Sequence, residues 1–212
     1  MKTLPLSVLY SDGPMARSYL ACLRRAGMRP RKILRLIFNC NQATGKKKRL
    51  WLPGGMGRAY KAWSQDVSMN HWPRQIRRTL PGLYETVTER VSESLSLGEG
   101  FFDEILGKQR LEDYADEVVQ LTIDSLADPR LVDHVTKDSQ KTLLFTGGGI
   151  LPKAVLEIDG LRVLHIHPGI LPNIRGADGL LWSVLLRGRP GASCFYMAHH
   201  YCPVNYRTNP IG

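Results

Sequence analysis

Cysteine is scarce in this 212-residue chain, and its four copies, Cys22, Cys40, Cys194 and Cys202, form no Cys-x-x-Cys pair. A zinc ribbon is excluded and a disulfide framework has no basis, so reduced thiols are expected. Acid is also short. Nineteen Asp and Glu against 29 Lys and Arg leave a formal charge of +10, which attracts anions without choosing among nucleic acid, phosphates or an anionic cofactor. Long apolar runs are missing: none approaches the roughly 20 residues that cross a bilayer. The apolar start is quickly broken by Asp12 and Pro14, unlike a signal peptide, so a cytoplasmic, membrane-free protein is expected. Aromatic residues are thin between the basic clusters (Arg24-Arg25, Arg29, Arg31-Lys32, Arg35, Lys46-Lys47-Lys48-Arg49, Arg74, Arg77-Arg78), which favours a solvated face over a nucleic-acid footprint.

Two glycine signatures are absent as well. The first turn, Ser11-Asp12-Gly13-Pro14, is not the three-glycine dinucleotide fingerprint, which leaves a nicotinamide cofactor unsupported. Pro53-Gly54-Gly55-Met56-Gly57 lacks the Lys-Ser/Thr ending of a phosphate loop and reads as a flexible loop.

What is present alternates between strand and helix patterns. Residues 6–10 and 33–38 are β-prone apolar runs, and Met15, Tyr19, Leu20 and Leu23 fall at helical spacing up to a stop at Gly27. Val87, Val91 and Leu95 recur every four residues within 83–97, and Phe101, Phe102, Ile105 and Leu106 continue the pattern; these are expected to face the core. A strand at 118–123, a helix carrying Leu131, Val132 and Val135, a strand at 142–145, a helix at 152–158 and a strand at 161–166 follow. That succession predicts an α/β chain with a doubly wound, mostly parallel sheet and ligands beyond the carboxyl ends of the strands.

The chemistry gathers at the end of the last of those strands. His165 and His167 are two apart, so on a strand they share a face. Pro168-Gly169 turns the chain, Ile170-Leu171-Pro172 extends it, and Arg175-Gly176-Ala177-Asp178-Gly179 opens a helix whose Leu180, Leu181, Val184 and Leu185 are expected to face the core. This run resembles the formyltransferases that use 10-formyltetrahydrofolate, in which an Asn-x-His-Pro segment ends a strand and a Leu-Pro-x-x-Arg-Gly loop follows. The resemblance covers about residues 118–198 and is nearest to the transferases that act on methionyl-tRNA, amino sugars and hydroxylamine-type molecules.

The resemblance implies one Rossmann-like α/β domain of the formyltransferase fold over 1–198, with a basic insert at about 39–82, and a divergent or truncated tail at 199–212. It implies 10-formyltetrahydrofolate as co-substrate, His167 as the residue that stabilises the oxyanion formed when an amine attacks the formyl carbon, and His165 in the place of the family's asparagine. Gly147, Gly148, Gly149, Ile150 and Leu151 match the segment that holds the pterin, and Arg175, Gly176 and Asp178 match the acceptor loop. The expected acceptor is a small amine or hydroxylamine rather than tRNA, because no carboxyl-terminal tRNA-binding domain follows. No metal is expected. The family's aspartate, in a loop after the strand matching 192–197, has no counterpart, since no carboxylate follows Asp178. That keeps open a non-catalytic relative that retains the folate pocket or only the fold. A zinc-dependent hydrolase built on His165 and His167, with His199, His200 and Cys202, is the other alternative.

Overall fold

The computed structural model of the protein describes residues 1–40, 54–69, 71–147, 150–176 and 178–197. Six strands, β1 (Lys2–Ser11), β2 (Met28–Phe38), β3 (Glu117–Ile123), β4 (Thr142–Phe145), β5 (Arg162–His167) and β6 (Ser193–Met197), form one sheet in the order β3-β2-β1-β4-β5-β6. Strands β1 to β5 are parallel, and β6 runs antiparallel to β5. The order reverses between β1 and β4, and the crevice beyond the carboxyl ends at such a switch point is where α/β sheets bind ligands. The sequence order predicts this doubly wound arrangement.

The centre of the sheet is buried on both faces, so its strands read as continuous apolar runs. Leu9 packs on one side with Leu34, Leu36, Phe145 and Val163, beneath helix α6 (Pro129–Lys137), which contributes Leu131 and Val135. Val8 and Tyr10 point the other way, toward Ile33, Leu144 and helix α1 (Pro14–Arg25), which contributes Ala16 and Leu20. A third cluster joins Ala21 of α1 to Phe101 and Ile105 of the short helix α5 (Phe101–Leu106), as their spacing predicts.

Helix α1 also buries a charge. Arg17 is 2% exposed; its Nε donates to Asp12 Oδ1 at 2.9 Å and its Nη1 donates to the Gly107 carbonyl. Tyr10 Oη donates to the same carboxyl oxygen at 3.0 Å, and Arg35 donates to the other at 3.2 Å. Burial and the Asp12 carboxylate push the Tyr10 phenol far above its ordinary range.

Four expectations need correcting. The Gly54-Gly55-Met56-Gly57 cluster is not a loop: it opens helix α2 (Gly54–Met69), within the first turn, where backbone N–H groups lack intrahelical partners in any case. Two more helices, α3 (His71–Thr79) and α4 (Pro81–Ser94), follow it. The 83–97 pattern does not face the core, because α4 buries no residue and leaves Leu83 56% and Val87 49% exposed, with Leu95 also exposed beyond its end. The helix at 152–158 is shorter, α7 (Lys153–Leu156). In helix α8 (Gly179–Arg187) the inward residues are Gly179 and Ser183, while Leu181 is 68% and Leu185 72% exposed, with Leu180 and Val184 also exposed. Among the described residues no helix is long and apolar enough to cross a membrane.

Candidate active site

Strand β5 lies between β4 and β6 and delivers both histidines to the carboxyl end of the sheet. His165 is in register with Phe145 on one side and Phe195 on the other, and its ring sits 5.5 Å from the first ring and 5.9 Å from the second. Its Nδ1 lies 3.2 Å from the Phe145 carbonyl. A carbonyl only accepts, so Nδ1 carries the proton and the neutral ring keeps Nε2 as an acceptor. Burial lowers the His165 pKa below the ordinary histidine value, and the nearby His167 pushes the same way against the Phe145 carbonyl.

His167 is held from several sides. Its Nε2 donates to the Ile174 carbonyl at 3.2 Å. Two glycines make the room: a Cβ on Gly169 would stand 3.0 Å from Nε2 and from the Ile174 oxygen, and one on Gly179 would stand 2.4 Å from the Pro168 oxygen and 3.1 Å from Nε2. Because Nε2–H is engaged, a neutral His167 turns an acceptor, Nδ1, to its surroundings. To donate a second hydrogen bond, the ring must take up a proton or let go of Ile174.

The neighbouring turns place the other candidates unevenly. Gly147 follows β4, where a Cβ would stand 3.1 Å from the Phe145 ring and 3.4 Å from Ser11 Cβ. Thr146 fastens that turn to β1 through its hydroxyl, which donates to the Leu9 carbonyl at 3.0 Å. Ile150 is 89% exposed, but Leu151 is buried in the core and offers a ligand no side-chain surface. Gly148 and Gly149 lie outside the described residues. Arg175 is exposed, with Nε donating to the Pro172 carbonyl at 3.0 Å. Gly176 has φ of +92°, a conformation that strains any side chain. Asp178 is exposed at the head of α8 and makes no capping bond.

The chain is 35% identical over 75 residues to a methionyl-tRNA formyltransferase of Syntrophus aciditrophicus (strain SB), a stretch covering 34% of this chain and 24% of that one. Over that stretch the chain is similar to a formyltransferase. The match spans about a quarter of that longer protein. No family model matches the chain. Among solved structures it is similar to a sugar N-formyltransferase from a Shewanella species (TM-score 0.41, 12% identity, 94% of this chain and 52% of that one). It is also similar to the phosphoribosylglycinamide formyltransferase of Anaplasma phagocytophilum (TM-score 0.47, 11% identity, 94% and 66%).

The site carries supports that the sequence does not announce. Ser193 in β6 donates to the Gly169 carbonyl at 2.8 Å and accepts from Leu171 N–H at 2.9 Å, tying down the turn after His167. Tyr19 reaches from α1 to donate to the Ile166 carbonyl at 3.3 Å. Sequence separations of 22 to 147 residues hide these partners; only strand pairing brings Ser193 opposite His167. Among the described residues no carboxylate bonds to either histidine, and no three metal-ligating side chains come together. His199, His200 and Cys202 of the zinc alternative lie outside the described residues.

Proposed function

We propose that the protein transfers a formyl group from 10-formyltetrahydrofolate to the amine or hydroxylamine nitrogen of a small-molecule acceptor. The observation that carries this reading is the seat of His167: at the carboxyl end of β5, next to β4 of the switch point, with its ring packed closely against the bare backbones of Gly169 and Gly179. The sequence kinship to formyltransferases supports the chemistry.

The acceptor nitrogen attacks the formyl carbon, the bond to the donor nitrogen breaks, and one proton passes from acceptor to donor. Between those events the formyl oxygen carries negative charge, and a preorganised donor beside it contributes several kcal/mol. His167 supplies that donor in its protonated form, with Nε2–H on Ile174 and Nδ1–H free for the oxyanion. His165, held neutral by burial, presents an acceptor nitrogen where the family's asparagine would offer an amide.

The donor's fit rests on Gly147, whose backbone is bare because a Cβ would press on the Phe145 ring, and on Ile150, an exposed apolar side chain for a flat heterocycle. Arg175, Gly176 and Asp178, in the loop that matches the family's acceptor segment, are the residues we assign to the acceptor. In the test, His167→Ala lowers turnover by about 10²–10³-fold with the circular dichroism spectrum unchanged. Unchanged turnover removes the mechanism. The absence of a carboxylate after Asp178 favours a second reading, a relative that binds folate without turning it over. Calorimetry with a 5-formyl analogue that finds binding, together with single-turnover assays that find no transfer, would select it.

A further inference from the structure

Helix α8 is apolar on nearly every side and is held to the rest of the protein by its two smallest residues, Gly179 and Ser183, spaced one turn apart. A stripe turned away from that side, three and four residues apart, is Asp178, Leu181, Trp182 and Leu185, while Leu186 lies on the Gly179 and Ser183 side. All five are exposed. A helix apolar all round is normally covered, and exposed apolar patches beyond a few hundred Å² mark interaction sites. The patch on α8 is on the order of several hundred Å², and doubled by symmetry it approaches the ~1,200 Å² at which specific dimer interfaces begin.

We propose that α8 is a dimer interface, pairing antiparallel with α8 of a second copy about a two-fold axis. Charge placement selects that occupant. The helix carries a carboxylate at its amino end, Asp178, and guanidinium groups at or just past its carboxyl end, Arg187 and Arg189, with no charge between. Among the described residues none of the three has an ion-pair partner. Nine residues rise about 13 Å, so an antiparallel pair sets Asp178 of each copy near the arginines of the other, twice by symmetry. The same orientation opposes the two helix dipoles. A nucleic acid does not suit this face, which would meet phosphate with leucine and one carboxylate.

The test is sedimentation velocity of the full chain across a micromolar concentration series. The expected result is a concentration-dependent dimer that is lost in the double variant Leu181→Glu/Leu185→Glu, with circular dichroism unchanged because both side chains are exposed in the single chain. Asp178→Arg should weaken pairing about tenfold, and adding Arg187→Asp and Arg189→Asp should restore it. A monomer throughout, whether α8 is bare or covered by another part of its own chain, overturns the proposal. So does association that survives the leucine variant, or charge reversal that is not rescued.

Discussion

Helix α1 leaves the end of β1 and turns a guanidinium inward, while helix α8 follows β5 and turns leucines outward. The ordinary rule of apolar inside and charged outside is reversed at Arg17 in α1 and along most of α8, and the cause is what the sheet offers. Beyond β1, Asp12 and the Gly107 carbonyl give Arg17 acceptors in a dry site, so its charge is compensated. Beyond β5, the Pro168 carbonyl and the His167 ring come so close that only glycine fits at 179, which fixes the side of α8 that faces in. Local ligands thus outrank average hydropathy in orienting these two helices.

The largest expected effect breaks the first half of that contrast. Arg17→Met should destabilise the protein by about 3–5 kcal/mol, because Asp12 stays buried with only Tyr10 and Arg35 as partners among the described residues. Urea denaturation measures it, and a loss below about 1 kcal/mol would show the charge to be dispensable. Next, Leu20→Ala in α1 should cost about 2–5 kcal/mol, whereas Leu185→Ala in α8 should stay within about 0.5 kcal/mol in dilute protein. Equal losses would place Leu185 in the core and undo the comparison.

A smaller effect separates two helical glycines. Gly179→Ala forces the Pro168 backbone and the His167 ring to move and should cost about 1–3 kcal/mol, with a shift of the His167 ring resonances. Gly82→Ala in α4 meets nothing within 4 Å and should stabilise by up to about 1 kcal/mol. Thermal unfolding compares the pair, and a stabilising Gly179→Ala would mean that the close approach is not what holds α8.

Much of the sheet was legible because its strands carry contiguous apolar residues: 142–145 and 118–123 match β4 and β3 almost residue for residue. Strand β2 was legible only from Ile33, because Met28-Arg29-Pro30-Arg31-Lys32 has no β pattern of its own and is ordered by pairing with β1 from Lys2. Apolar spacing announces a helical face but not what covers it, which is why the stripes of α4 and α8 pointed to a core that is not there. At the site, the two histidines were visible from their spacing of two on a strand. Ser193, Tyr19 and Ile174, which brace that strand and its turn, were not, since a hydroxyl or a carbonyl carries no signal until the fold chooses its partner.

The smallest effect tests the two histidines as a pair rather than the helices beside them. His165 has a folded-state pKa below its unfolded value of about 6.5, so folding disfavours its proton. Its contribution to stability is therefore complete above pH 6.5 and is lost as pH falls through the folded-state value. His165→Asn removes the titration while keeping an amide that can donate to the Phe145 carbonyl. Unfolding free energy should then fall less between pH 7 and pH 5 in the variant than in the parent, and the His165 ring protons of the parent should titrate below 6.5. Parallel pH profiles would place His165 in water in both states, leaving the Phe145 and Phe195 rings without the hold on it that burial implies.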